Sequence, residues 1–230
     1  MYHGALPLGA FVLFFLLVRA TAFDLEFARV WAWNAETGRW LAERSWWAGG
    51  LLHRGGRDAV VAVLAALSFV ALAGSLNERW RALRGTALFI AATMVSSWAL
   101  VGALKHVTGV DCPWDLADFG GTHPYAAVFA ARIPGAARGA CFPGAHSASG
   151  FALFAFYFAL RERRPDHARL AFFIAALVGT LFAIAQEARG AHFLSHDVTS
   201  AIIAWLTCLA GYCARRRWIA HAGSAAALPA

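Results

Sequence analysis

Apolar residues in this chain run in uninterrupted blocks, with neither the alternation of a half-buried strand nor the one-sided stripe of a soluble helix. Six blocks can be read, at 6–18, 59–76, 86–104, 147–160, 170–185 and 198–214, separated by short clusters of charge. A helix needs roughly 17 to 25 such residues to cross a bilayer, so the pattern predicts an all-α, polytopic membrane protein with a six-helix transmembrane bundle. The first block ends at Arg19 and resembles either a first membrane helix or a signal-peptide core, since Ala20, Thr21 and Ala22 offer small residues for cleavage. Met1, Tyr2 and His3 lack the positive n-region of a signal, which favours a retained helix. Between the first two blocks, charge mixes with Trp31, Trp33, Trp40, Trp46 and Trp47. Tryptophan concentrates at membrane interfaces, so this stretch predicts an interfacial helix, with His53 to Arg57 as a turn into the second span. Residues 1–218 read as one membrane domain, and the Ala-rich stretch 219–230 as a mobile tail.

Composition agrees: 60% of the 230 residues are hydrophobic and 14% charged, too apolar for a soluble domain of this length. The formal charge of +7 would suit nucleic acid only if the basic residues lined one soluble face, and here they fall in clusters between apolar blocks. Those clusters are topology signals. With alternating spans, the clusters at 79–84, 161–169 and 215–217 share one face, which the positive-inside rule makes cytoplasmic, with both termini. The other face receives Lys105, the 106–146 loop, His146 and the 186–197 connection, so the unusual polar residues converge there.

Three polar stations lie on that face. Lys105, at the end of the third block, reads either as a snorkelling lysine or as a site cation. In the second station, Pro143 and Gly144 break the backbone, His146 follows, and Ser147 and Ser149 open an apolar run. The first turn of that helix presents unpaired N–H groups that suit a phosphate-like anion, and an imidazole beside it can protonate a leaving oxygen; the plain alternative is a helix cap with a surface histidine. The third station holds Gln186, Glu187, Arg189, His192, His196 and Asp197, and so much ionisable chemistry at a membrane face points to function.

In order and spacing these stations resemble the three signature motifs of the type 2 phosphatidic acid phosphatase superfamily, which also includes glucose-6-phosphatase and the vanadium haloperoxidases. The matching residues are Lys105 with Pro113, then Pro143-Gly144-Ala145-His146-Ser147, then Arg189 to Asp197, and the likeness covers residues 58–214. It implies a six-helix bundle with its site at the outer membrane surface and hydrolysis of a lipid phosphate through a phosphohistidine, with no metal and no cofactor. By that resemblance His192 is the nucleophile, Asp197 orients it, and His146 is the general acid. Lys105, Arg189 and backbone N–H groups near Gly144, Ala145 and Ser147 bind the phosphate oxygens.

Three positions depart from the pattern. Cys112 stands where the family has an arginine before the first-motif proline, and Gln186 stands where it has one six residues before the nucleophile. Arg189 is one helical turn beyond Gln186, and Arg132 or Arg138 of the long loop are further candidates to replace a lost cation. His192 and Asp197 are five apart instead of four, with His196 at the expected aspartate position and so a rival nucleophile. Cys112 and Cys141 bracket the outer loop and would form a disulfide on an oxidising side; otherwise they are two free thiols. Cys208 and Cys213 read as packing residues. The expected protein is a lipid phosphatase of a bacterial inner membrane with its site facing the periplasm. A lipid phosphotransferase or a non-enzymatic lipid-binding or transport protein is the alternative. Its partners are the bilayer and a membrane lipid substrate, and nothing in the sequence sets an oligomeric state.

Overall fold

Every apolar block forms a helix, and nearly every helix outgrows its block. The computed structural model describes residues 2–128, 130 and 139–226; Arg132 and Arg138 lie outside the described residues. Helix α1 (Tyr2–Ala20) leads to a short α2 (Phe23–Trp31) and a two-residue hairpin, β1 (Trp33–Asn34) with β2 (Arg39–Trp40). A π-helix, Trp47–Gly55, runs without interruption into α3 (Gly56–Leu76). Then come α4 (Glu78–Thr108), α5 (Ala145–Phe151), α6 (Phe154–Leu160), α7 (Pro165–Glu187) and α8 (Leu194–Ala226). Five helices are long and apolar enough to cross a membrane, and a sixth apolar segment, Ala145–Leu160, is shorter. That segment changes pitch at Ala152 and Leu153, where Leu153 N–H bonds the Gly150 carbonyl (3.2 Å) and Ala155 N–H the Ala152 carbonyl (3.1 Å), tighter turns than an α-helix makes.

Three local readings change. His53 to Arg57 is helical instead of a turn: the Gly56 N–H bonds the carbonyls of Leu51 and His53. Its glycine serves packing, because a Cβ at Gly56 would overlap the ring of Phe182. The basic cluster 79–84 lies inside α4, whose first turn begins one residue after α3 ends, with the Asn77 side chain accepting from Arg79 N–H at 2.9 Å. The 30-residue stretch Trp47–Leu76 would span about 45 Å at 1.5 Å per residue, well beyond a hydrocarbon core of about 30 Å, so charged turns at helix ends need not leave the helix. Past Trp218, α8 continues to Ala226, in keeping with the helix propensity of alanine. The tryptophans after α1 divide: Trp46 is exposed, whereas Trp33 and Trp40 pack with Phe119 and Phe193 into a cap over one end of the bundle.

Inside the bundle, Ile90, Met94, Phe151, Phe154, Phe158 and Phe182 form the main core. Helices α5 and α7 meet glycine to glycine: a Cβ on Gly150 would stand 2.7 Å from the Gly179 Cα. Small residues at such a crossing let two backbones approach closely, the usual device of helix packing in lipid. At the end opposite the cap, Arg215 reaches Thr86 (3.3 Å), Arg216 and Tyr212 meet Glu162 (3.2 and 2.5 Å), and Arg161 meets His3 (2.9 Å). The three basic clusters and the start of α1 therefore share one end, and the polar stations share the other.

Candidate active site

The third station is the connection between α7 and α8. Gly190 takes a left-handed conformation (φ 74°) with the Trp40 ring packed where a side chain would be, so the chain turns sharply and delivers His192 just before α8. The Ala191 N–H closes that turn on the Gln186 carbonyl at 2.9 Å. Asp197 stands in the first turn of α8 and accepts at one oxygen, Oδ1, from His192 Nδ1 (2.8 Å) and Ser147 Oγ (2.5 Å). A carboxylate on Nδ1 places the ring proton there and leaves the Nε2 lone pair free. Burial, helped by the Lys105 and Arg189 charges, pushes the His192 imidazole down to about 3, so the ring is neutral near pH 7. The start of α8 is itself anchored from far away in sequence. Asp24, buried in α2, accepts from Ser195 N–H (3.1 Å) and Ser195 Oγ (2.5 Å), and burial raises its carboxyl above the usual range against those two bonds.

His196 is enclosed. Its ring meets Phe142 and Phe193 edge to face at 5.3 and 5.4 Å, and its Nδ1 has no partner. The Asp197 carboxylate thus bonds His192 and not the ring that occupies the family's aspartate position. The extra residue arises because His192 and Phe193 precede the helix, so five positions, not four, bring the imidazole back over the first turn of α8.

In the second station His146 is buried in α5, stacked on Phe182 (4.3 Å between centroids), with Nε2 3.1 Å from the Leu52 carbonyl. A carbonyl only accepts, so Nε2 carries a proton and Nδ1 is the remaining ring nitrogen. The Gly144 N–H bonds the His196 carbonyl at 3.2 Å, so it is already engaged, and the Ser147 hydroxyl serves Asp197. Ala145 opens the first turn of α5 and is exposed.

In the first station Lys105 lies in the last turn of α4 with Nζ 2.5 Å from the Ala140 carbonyl, and Thr108 Oγ1 donates to the Phe142 carbonyl at 2.7 Å. A disulfide joins Cys112 to Cys141 across Cα atoms 5.2 Å apart, and the Cys141 N–H bonds the Val110 carbonyl (2.9 Å). The residue in the arginine's place therefore supplies no cation; it ties the first station to the second.

One residue beside the site, His53, escaped the sequence reading as a site residue. His53 comes from the π-helix, with Nδ1 2.6 Å from Gln186 Nε2 and its ring 4.7 Å from that of His146. The available signal was Gln186, a polar side chain beside an apolar block that would need a partner once buried. Glu187, placed in the third station without a role, is buried near Asp197; both line an apolar cavity of about 430 Å³ between α2, α5, α7 and α8. Val198 and Ala201 on α8 line that cavity and also a second one of about 690 Å³, walled by Phe11, Phe14, Phe172 and Trp205. Among the described residues no group of three or more His, Cys, Asp or Glu side chains is arranged to hold a metal ion.

Fold and site together define a membrane-embedded helical bundle that carries a histidine–carboxylate pair among cations at one end. Residues 86–220 match the model of the PAP2 superfamily, and the chain belongs to that family. A solved structure with similar architecture is a transmembrane PAP2-type phosphatidylglycerolphosphate phosphatase from Bacillus subtilis, with a TM-score of 0.57 at 15% identity over 94% of this chain and 98% of that one. At that identity the likeness concerns the fold. Among curated protein sequences none matches.

Proposed function

We propose that the protein is an integral membrane lipid phosphatase that works without a metal, through a phosphohistidine on His192. The observation that carries this reading is the 2.8 Å contact of His192 Nδ1 with Asp197, which leaves Nε2 as a neutral, oriented nucleophile. In the first step Nε2 attacks phosphorus and the bond to the leaving oxygen breaks. His146 supplies the proton that oxygen needs. It does so from Nδ1, which takes up a proton when the anionic phosphate binds beside it, while the Leu52 carbonyl holds the Nε2 proton. In the second step a water attacks phosphorus, His146 accepts its proton, the P–N bond breaks and phosphate leaves. Lys105 and Arg189 balance the charge on the equatorial oxygens, which is the main contribution a protein makes to phosphoryl transfer.

A lipid substrate is supported by the two apolar cavities that border Val198 and Ala201 of α8, room for an acyl or prenyl chain beside Asp197, the partner of His192. The substrates to be tried are undecaprenyl pyrophosphate, phosphatidate, phosphatidylglycerophosphate and lipid A phosphates. The basic end supports a cytoplasmic assignment for that face of a bacterial inner membrane, and the Cys112–Cys141 disulfide supports an oxidising periplasm on the other.

The test is phosphate release from this panel in detergent with EDTA, comparing wild type with His192→Ala, His146→Ala and His196→Ala. The proposal expects EDTA-resistant release that falls by at least about a thousandfold in the first two variants. His196→Ala keeps its activity as far as it folds. Loss of release in EDTA, or full activity in His192→Ala, refutes the mechanism; release only on addition of an acceptor alcohol identifies a phosphotransferase.

A further inference from the structure

Resting on the anion-binding reading above, we propose that His53 is a positioning residue of the phosphate clamp: through Gln186 it aims Arg189, and this three-residue relay does the work of the third-motif arginine that the chain lacks. The bonding pattern has one solution. Arginine only donates, so the 3.0 Å contact from Arg189 Nη1 must end on Gln186 Oε1. This fixes the amide, and its NH2 group faces His53 Nδ1 at 2.6 Å. His53 Nδ1 is therefore the acceptor, and its proton is on Nε2.

Each member is placed by a different element. The π-helix supplies His53, the last turn of α7 supplies Gln186, and Arg189 follows in the connection. The wider turn of a π-helix is a recurrent feature of functional sites. Here successive residues do separate jobs: the Leu52 carbonyl holds His146, His53 holds Gln186, and Arg54 lies close enough to Arg189 to act on its charge. Gln186 is 3% exposed, so an amide lacking its histidine acceptor would be left partly unsatisfied in the interior and free to turn. Arg189 lies close enough to His53, His146 and His192 to act on the charge of each ring.

The experiment uses the full chain in detergent and reads two quantities: the Kd for inorganic phosphate, from the shift in melting temperature, and hydrolysis of the best lipid substrate. His53→Phe keeps the ring and removes the acceptor; His53→Asn returns an acceptor oxygen near the Nδ1 position. The expected result is phosphate binding at least tenfold weaker, with a raised KM, in His53→Phe, and recovery to within about threefold in His53→Asn. Gln186→Arg, made in the His53→Phe background, restores phosphate binding as well, because it supplies a guanidinium that needs no relay. A purely structural role for His53 would not be rescued by a change at position 186. Phosphate affinity in His53→Phe within twofold of wild type overturns the proposal, as does failure of both rescues in folded protein. A wild type that binds phosphate through His53 yet hydrolyses no lipid overturns the phosphatase reading and leaves the relay standing; one that binds no phosphate overturns both.

Discussion

Gly144 offers the sharpest test of the site. Its backbone (φ −69°, ψ 109°) suits any residue, so Gly144→Ala carries no conformational penalty, and removing glycine's freedom in the unfolded chain is worth about 0.4 to 1 kcal/mol. The cost lies wholly in space. The new Cβ would overlap Asp197 Oδ1 and stand 2.7 Å from both His192 Nδ1 and Ser147 Oγ, well inside the roughly 3.5 Å at which carbon meets its neighbours. Relief needs a displacement approaching 1 Å within the triplet that orients the proposed nucleophile, and a bond of 2.8 Å cannot lengthen that far and survive. Overpacking costs about 1 to 3 kcal/mol, so the variant should fold with a melting temperature only a few degrees lower. A misplacement of about 1 Å costs about a hundredfold in rate, or about 2.7 kcal/mol of barrier. The assay is kcat for phosphate release at saturating lipid, beside a thermal melt in the same detergent. A folded Gly144→Ala enzyme with kcat within threefold of wild type would show that the His192–Asp197 contact does not set the rate.

Further outcomes follow from the anchors around the site. The disulfide closes a loop with sequence separation 29, for which the chain-entropy model gives about 3 to 4 kcal/mol; reducing it, or Cys112→Ser with Cys141→Ser, should lower the melting temperature accordingly, and an unchanged melt refutes its structural role. Asp24→Ala removes the acceptor for Ser195 N–H at the start of α8 and should cost about 1 to 2 kcal/mol, whereas Asp24→Asn, which still accepts that bond, should cost much less; equal melts for the two variants refute the capping role. His192 is neutral in the fold down to about pH 3 and takes up a proton near 6.5 when unfolded, so the unfolded state binds the extra proton between those values. Its contribution to stability is therefore present above pH 6.5 and is lost as pH falls, by about 1.4 kcal/mol per unit at full slope. His192→Gln should flatten the fall in melting temperature between pH 7 and pH 5, and parallel curves for the two proteins count against a buried neutral imidazole.

The spans were legible because a bilayer imposes its solvent on the sequence: twenty apolar residues need no tertiary information to be read as a helix. The three stations were legible because charge beside such blocks is costly and therefore conspicuous. What could not be read locally was pairing across distance. Gln186 and His53 lie 133 positions apart, and Ser195 and Asp24 lie 171 apart, and no period or motif marks either pair. The glycines at 55 and 56 misled for a related reason. Their low helix propensity predicts a turn, but Gly56 is small because α7 presses on it, and the interior of a packed bundle overrides local preference. The tryptophans were half readable: residue type indicated an interface, but only the fold could show that Trp40 fills the space above Gly190 and so shapes the turn that presents His192.

The manner in which the two cations are held bears on how the proposed phosphate clamp would work. Lys105 is fixed by the Ala140 carbonyl and Arg189 by the Gln186 amide, both neutral acceptors. A carboxylate bonded in either place would fix the side chain equally well and would cancel the charge that a phosphate needs to meet. Neutral acceptors orient without neutralising, so the field is in place before substrate arrives and little reorganisation is left for the transition state. The same economy applies to the disulfide. An arginine at Cys112 would add one cation to the proposed clamp; a cysteine there instead ties down Cys141, and with it the neighbouring Ala140 carbonyl that holds Lys105. The substitution exchanges one charge for the fixed position of another. It follows that reducing the disulfide should act on phosphate affinity through Lys105. In a Lys105→Ala background reduction should leave affinity unchanged, and an equal loss in both backgrounds would show that the bond stabilises the fold and nothing more.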